Sequence, residues 1–239
     1  MMTNYMYHIK NCGISANSIS LLTISSTYYN GNKFNSNIQI LANYLDYCMF
    51  HDIENFNATA NNFVWNKFVY LSNVTLIIGK IENVWFNYMS NVYMCVNYFN
   101  ANSLKNLLNV TIHCSEFVGN YDSSDNYSNI KCLSINCQGV ISKCSFDYLT
   151  QLIIICDNIT SCTFSRIHNI SLNCNSLSNV EGYKIDYWFH TCQSWWNFTI
   201  ATAGSVKMFY VQGIAHWVSR DVGYLEHNGI TYPRTTIVG

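Results

Sequence analysis

The residues best suited by type to do chemistry are the thiols. Eleven cysteines occur in 239 residues, and six of them, Cys95, Cys114, Cys137, Cys156, Cys174 and Cys192, follow one another at separations of 19, 23, 19, 18 and 18. A structural zinc site needs ligand pairs at close spacing such as C-x2-C. None occurs: Cys132 and Cys137 are five apart, and Cys156 and Cys162 six. Glycoside hydrolysis needs two convergent carboxylates, and the acids of the central region are thinly spread: Glu82, Glu116, Asp122, Asp125, Asp147, Asp157, Glu181 and Asp186. One period beyond Asp147 stands Ser165, so that column offers no carboxylate pair. Asp122 and Asp125 share the segment DSSDN, a weak match to any calcium loop. His51, His113, His168, His190, His216 and His227 fall in no HExxH or GxSxG frame, and no Cys-His pair with a third orienting group is visible. The expectation is no catalytic residue, no metal and no cofactor.

The thiol spacing makes better sense as architecture. The one long step contains GNYDSSDNYS, Gly119 to Ser128, a polar segment of the kind that loops out as an insertion. Removing four or five residues there restores the period. A second ladder supports the first: Cys144 and Phe146 recur eighteen residues later as Cys162 and Phe164, and Phe99 and Phe117 share that spacing. Short runs such as VTLII from Val74, VYMCV from Val92, VTIHC from Val110, ISLNC from Ile170 and VEGYKI from Val180 read as strands by their period of two and β-branched content. Asn73, Asn83, Asn91, Asn109, Asn158, Asn169 and Asn179 precede strands, which places asparagine at the corners, where it tolerates left-handed backbone.

Two short strands per 18 to 20 residues indicate an all-β, single-stranded parallel β-solenoid, whose coils stack at about 4.8 Å so that equivalent residues form columns. The crossover rule implies right-handed winding. A narrow interior accepts small or flat apolar groups, and cysteine packs as a small hydrophobe. Cys95, Cys114, Cys137, Cys156, Cys174, Cys192, Cys144, Cys162, Phe146 and Phe164 are therefore expected to point inward. Stacked cysteines also approach disulfide distance; cytoplasmic synthesis and an odd total favour free thiols. Residues 1–60 read as an amino-terminal cap with irregular early coils, 61–190 as the regular β-helix, and 191–239 as a small antiparallel, aromatic-rich carboxy-terminal cap. Asn228-Gly229 between YLEH and ITYP is a hairpin signal, and Trp195, Trp196 and Trp217 are candidates for glycan or subunit contact.

Only 10% of residues are charged and the formal net charge is -1, so the surface resists self-association poorly. Lys and Arg form no basic run, which argues against nucleic acid. The longest apolar runs fall far short of the roughly 20 residues of a membrane span, and the beginning of the sequence has no signal-peptide pattern. Asparagine, about 33 residues, accounts by chance for the Asn-x-Ser/Thr triplets at Asn73, Asn109, Asn158 and Asn169.

NISLNC, KCSFD and SCTFS, with their Asn-led strands and Cys or Phe columns, resemble the parallel β-helix segments of bacteriophage tail spikes, tail fibres and related virion appendages, over roughly residues 60 to 190. The resemblance implies a trimeric structural component of a virion, made in the host cytoplasm, contacting other virion proteins and a bacterial surface glycan. No depolymerase residue can be carried over. The rival readings are a polysaccharide lyase or glycoside hydrolase, which requires convergent acids or an acid with Arg or Lys, and an adhesin-like surface protein. An ice-binding solenoid lacks the necessary rows of Thr.

Overall fold

Runs of β-branched and aromatic residues favour extended backbone, and in the computed structural model they form strands that pair in parallel with the run about one period away. The structure describes the backbone of residues 9–10, 13–16, 22–24, 28–31, 37–46, 48–120, 127–200, 206–215, 224–227 and 230–233, and side chains between 38 and 194 other than 42, 43, 46, 47 and 121–126. Among the described residues there is no helix. The fold is an all-β parallel solenoid. The chain divides into two compact units, Met1–Cys114 and Ser115–Gly239.

In the first unit, Asn37–Asp46 pairs with Asn55–Val64, which pairs with Lys67–Glu82, which in turn pairs with Trp85–Asn100. The offset is 18 residues throughout, as in Ile38↔Phe56, Phe56↔Val74 and Val74↔Val92. The regular repeat is thus already present at Asn37. Constant offset stacks like upon like: Phe50, Phe68 and Phe86 are fully buried, with ring centroids 4.9 and 5.1 Å apart and planes within 15°. Their separation is close to the strand spacing, so each ring fills the level directly over its neighbour.

Corners repeat as faithfully as strands. Trp65, Asn83 and Ala101 share one corner; Asp52, Tyr70, Tyr88 and Asn106 a second; Asn73 and Asn91 a third, all with φ between 48° and 57°. Left-handed backbone costs a residue other than glycine about 1–2 kcal/mol, with Asn the most tolerant. Asn73, Asn83, Asn91 and Asn179 occupy such corners as expected, whereas Asn109, Asn158 and Asn169 do not. Tight turning also strands backbone groups inside the coil, and buried asparagines collect them. Asn66 accepts the Cys48 N–H at 2.8 Å and donates to the Leu45 carbonyl at 2.6 Å. Asn102 repeats the device with the Val84 N–H and the Ile81 carbonyl.

In the second unit, Tyr127–Cys137 pairs with the start of Ser145–Ile200 at an offset of 19, as in Ile130↔Leu149, while Val140–Ser142 pairs at 18, as in Val140↔Asn158. The extra residue is absorbed at 137–139 as a bulge, where the Gly139 carbonyl accepts from both Asp157 N–H and Asn158 N–H. A Cβ on residue 139 would lie 2.7 Å from the Ser115 carbonyl oxygen, so glycine is required there. Phe117 pairs with Ile141 at an offset of 24, in keeping with the insertion read from Gly119 to Ser128, of which 121–126 lies outside the described residues.

Phe146 and Phe164 stack with centroids 5.3 Å apart. One level on, position 182 is glycine, and the Trp188 ring fills the vacated space edge-on to Phe164 at 5.4 Å. The tail differs from the expected antiparallel cap in one respect. Val206–Ala215 continues the parallel stack on the strand before it, and among the described residues only Tyr224–His227 with Ile230–Pro233 is antiparallel. The parallel mode persists because the chain still turns through a full coil of about 21 residues, as in Ile185↔Val206, before it doubles back.

Replacing Asn66 by Ala leaves a buried donor and a buried acceptor unmatched. We expect a loss of at least about 1–3 kcal/mol, read as a lower urea midpoint at unchanged m value. Asn57→Ala, at an exposed position on a neighbouring coil, should change stability by less than about 0.5 kcal/mol.

Candidate functional site

Nine of the ten residues expected to line the interior do so: Cys114, Cys137, Cys144, Cys156, Cys162, Cys174, Cys192, Phe146 and Phe164 are buried. Cys95 is the exception and is exposed. In this part of the chain the offset is 18, and Cys95 pairs with Ile77, itself 51% exposed, while Val96 pairs with buried Ile78. The 19-residue step from Cys95 to Cys114 is therefore one residue out of register, and a one-residue slip turns a side chain to the other face. The equal step from Cys137 to Cys156 keeps both inside because the bulge at 137–139 absorbs the surplus.

All ten described cysteines are free thiols. Cys174 hydrogen-bonds with both Cys156 and Cys192, and its pKa is pushed up to about 12, chiefly by donation to Cys156, with burial adding to it. Cys192 is raised for the same reasons, through Cys174 and burial, and neighbouring His190 pulls it down only in part. Cys144 is raised well above the ordinary range, first by burial and then by Cys162. Protonated thiols are poor nucleophiles and poor ligands. Although His190 and Cys192 lie two residues apart on the inward face, the pair is an inert core contact, and His190 accepts the Trp188 indole N–H at 3.0 Å.

The outer surface of the second unit carries the arrangement that can meet a ligand. Asn129, Tyr148, Arg166 and Lys184 are equivalent left-handed corner residues on successive coils, with φ between 51° and 54°. Ile130, Leu149, Ile167 and Ile185 follow them and point inward, and Thr150, His168 and Asp186 come next and line the outside again. The corner and outward residues, with Leu149 and Ile167, line a shallow groove of about 360 Å³. Arg166 reaches back one coil. Its Nε donates to Asp147 Oδ1 at 2.7 Å, its Nη2 donates to Asp147 Oδ2, and its Nη1 donates to the Tyr148 hydroxyl at 2.5 Å. The guanidinium lies over the Tyr148 ring, 3.7 Å from its centroid. Asp147 is 4% exposed, and its hydrogen bonds push the Arg166 pKa higher still, so the cation is permanent. His168 Nδ1 meets Asp186 Oδ2 at 2.6 Å.

Both carboxylates at the groove are engaged, Asp147 by Arg166 and Asp186 by His168. Asp157 stands ten residues from Asp147 on a different column and accepts from Asn175 at 3.2 Å. Glu82, in the first unit, is held by Lys80 at 2.7 Å and Asn100 at 3.0 Å. Among the described residues no three His, Cys, Asp or Glu side chains gather as a metal site. Asp122, Asp125 and Trp217 lie outside the described residues, as do the side chains of Trp195 and Trp196. In the first unit, exposed Tyr70 and Tyr88 stack at 5.0 Å with planes 14° apart, and Trp65 sits 5.8 Å from Trp85. The Tyr70 and Tyr88 rings turn their faces toward each other, whereas the two indoles are tilted by 42°.

Sequence reasoning singles out Asp147, His168 and Asp186 only one at a time. The groove itself was missed, although the spacing of Tyr148, Arg166 and Lys184, eighteen residues each, is the signal that could have found it. No family model, no curated protein and no solved structure matches the chain.

The thiols give the fold an alkaline limit. Their folded pKa values are raised, so the stability they contribute is complete below the unfolded value near 9.0 and is lost as pH climbs toward about 12. Over that window the unfolded chain has released protons that the native chain retains, and stability falls with pH. Urea titrations at pH 8, 9, 10 and 11 should show a progressive decline, with a shallower slope in Cys174→Ala.

Proposed function

We propose that the chain is a non-enzymatic structural component of an oligomeric appendage, of the kind bacteriophages carry as tail fibres and tail spikes, and that its second unit offers a binding groove to a bacterial surface glycan. The observation that supports this most directly is the state of the groove carboxylates. Asp147 is committed to Arg166 and Asp186 to His168, so neither is poised as the free acid or base that glycosidic cleavage requires. A second support is the sparse charge of the surface, which leaves little electrostatic repulsion between copies. A repeated, stiffly stacked surface with few ionic groups suits permanent assembly.

The rival reading, a β-helix lyase or glycoside hydrolase, draws on the same groove, where an acid, an arginine, a lysine and a histidine do converge. Light scattering and a reducing-sugar assay on host-envelope polysaccharide separate the two. The expected result is a mass of three times the 27.5 kDa chain, retention of polysaccharide, and no sugar release by wild type, Asp147→Asn or Asp157→Asn. A monomer that liberates short sugars, with the release abolished in Asp147→Asn, would overturn the proposal.

A further inference from the structure

The groove has a chemical preference, and it is set by Arg166. A guanidinium has five N–H donors in a planar fork. Three are engaged: Nε and Nη2 with the Asp147 carboxylate, and Nη1 with the Tyr148 hydroxyl. One N–H on each terminal nitrogen remains, away from Asp147. Donors on the two terminal nitrogens of one guanidinium can meet two oxygens of a single carboxylate, sulfate or phosphate.

Arginine ordinarily loses side-chain freedom when it grips a ligand. Here the loss has already occurred, because a buried carboxylate holds one edge and the Tyr148 ring lies under the plane at 3.7 Å. A pre-organised donor of this kind binds more tightly than a free one of equal charge. The next corner residue is Lys184, whose ammonium meets the Tyr183 ring at 5.1 Å and forms no ion pair among the described residues. The remaining acid of the groove, Asp186, is engaged by His168 at 2.6 Å. Arg166 and Lys184 occupy successive levels of one column, so their backbones are separated by about one strand spacing of 4.8 Å.

We infer that the groove is an oxyanion subsite: Arg166 grips two oxygens of a carboxylate, sulfate or phosphate substituent on a glycan, and Lys184 supplies the second positive charge. The inference rests on the reading of this groove as a glycan site and adds the class of sugar it takes, one bearing acidic substituents.

Equilibrium binding of the full-length chain to oligosaccharides of one backbone tests it: an oligo-uronate, its carboxyl-reduced neutral counterpart, and that neutral form bearing sulfate or phosphate esters. At least one acidic probe should bind about tenfold or more tightly than the neutral one at low ionic strength, and the advantage should shrink as salt screens it. Which acidic probe wins identifies the oxyanion. Lys184→Ala and Arg166→Lys should each reduce that binding about tenfold and so narrow the gap to the neutral probe; the lysine variant keeps a cation beside buried Asp147, so the fold is preserved. Equal affinity for acidic and neutral probes overturns the oxyanion assignment and leaves the glycan reading standing. Acidic binding that survives both substitutions places the site elsewhere and also overturns it. Binding of none of the probes overturns both readings.

Discussion

Everything in this molecule depends on vertical register: each residue must lie over its equivalent one coil away, because strand pairing fixes both the spacing and the facing of every side chain. A single-residue slip exchanges inside for outside. The chain holds register mainly at the corners. Left-handed residues recur at fixed intervals, at Trp65, Asn83 and Ala101 and again at Tyr148, Arg166 and Lys184. Each costs about 1–2 kcal/mol when it is not glycine, yet the repetition turns the whole strand in the same place on every coil. That penalty is offset locally by parallel pairing on either side and by side chains that collect the stranded backbone groups.

Stacking of equivalents has a second consequence, which is that side chains bond to their own kind. On the outside of the first unit, Asn55, Asn73, Asn91 and Asn109 form a ladder in which each amide donates to the one before at 3.1 Å. Inside, the residue after the Trp65 corner is Asn66 and that after Ala101 is Asn102, both buried and both bonded to backbone. In the second unit the residues after the Lys143 and Ser161 corners are Cys144 and Cys162, which donate to the carbonyls of Ser142 and Thr160. Amide and thiol thus serve one steric role. This accounts for Cys144 and Cys162 as free thiols rather than disulfide partners.

The groove arises from the same geometry. Corner residues of adjacent coils stand side by side, so a long side chain such as Arg166 can reach back to the previous level and be locked by what lies there. Asp147 is buried and would be costly as a lone charge; the guanidinium neutralises it and is itself immobilised in return. An ion pair so deeply committed is a poor source of acid or base. Stacking commits aromatic groups in the same way, since the rings of Tyr70 and Tyr88 are turned toward each other.

The sequence by itself determined the fold class. Strand periodicity, Asn-led corners and recurrence near eighteen residues, carried by Cys144 and Cys162 or Phe146 and Phe164, specify a stacked parallel coil, since no other architecture places those residues on one interior line. It also foretold the antiparallel pairing of Tyr224–His227 with Ile230–Pro233, because the Asn-Gly dipeptide between them in sequence favours a tight turn. Only the tertiary structure decided which thiol steps keep the inward face. Steps of 19 residues look alike on paper, but Cys95 faces out while Cys137 faces in, because a bulge at Gly139 takes up the surplus residue in one place and nothing does so in the other. The groove was likewise decided in three dimensions. Asp147 and Arg166 are nineteen residues apart in sequence and become neighbours only when one coil settles on the next, since register, a property of the paired backbone, determines which distant side chains share a level.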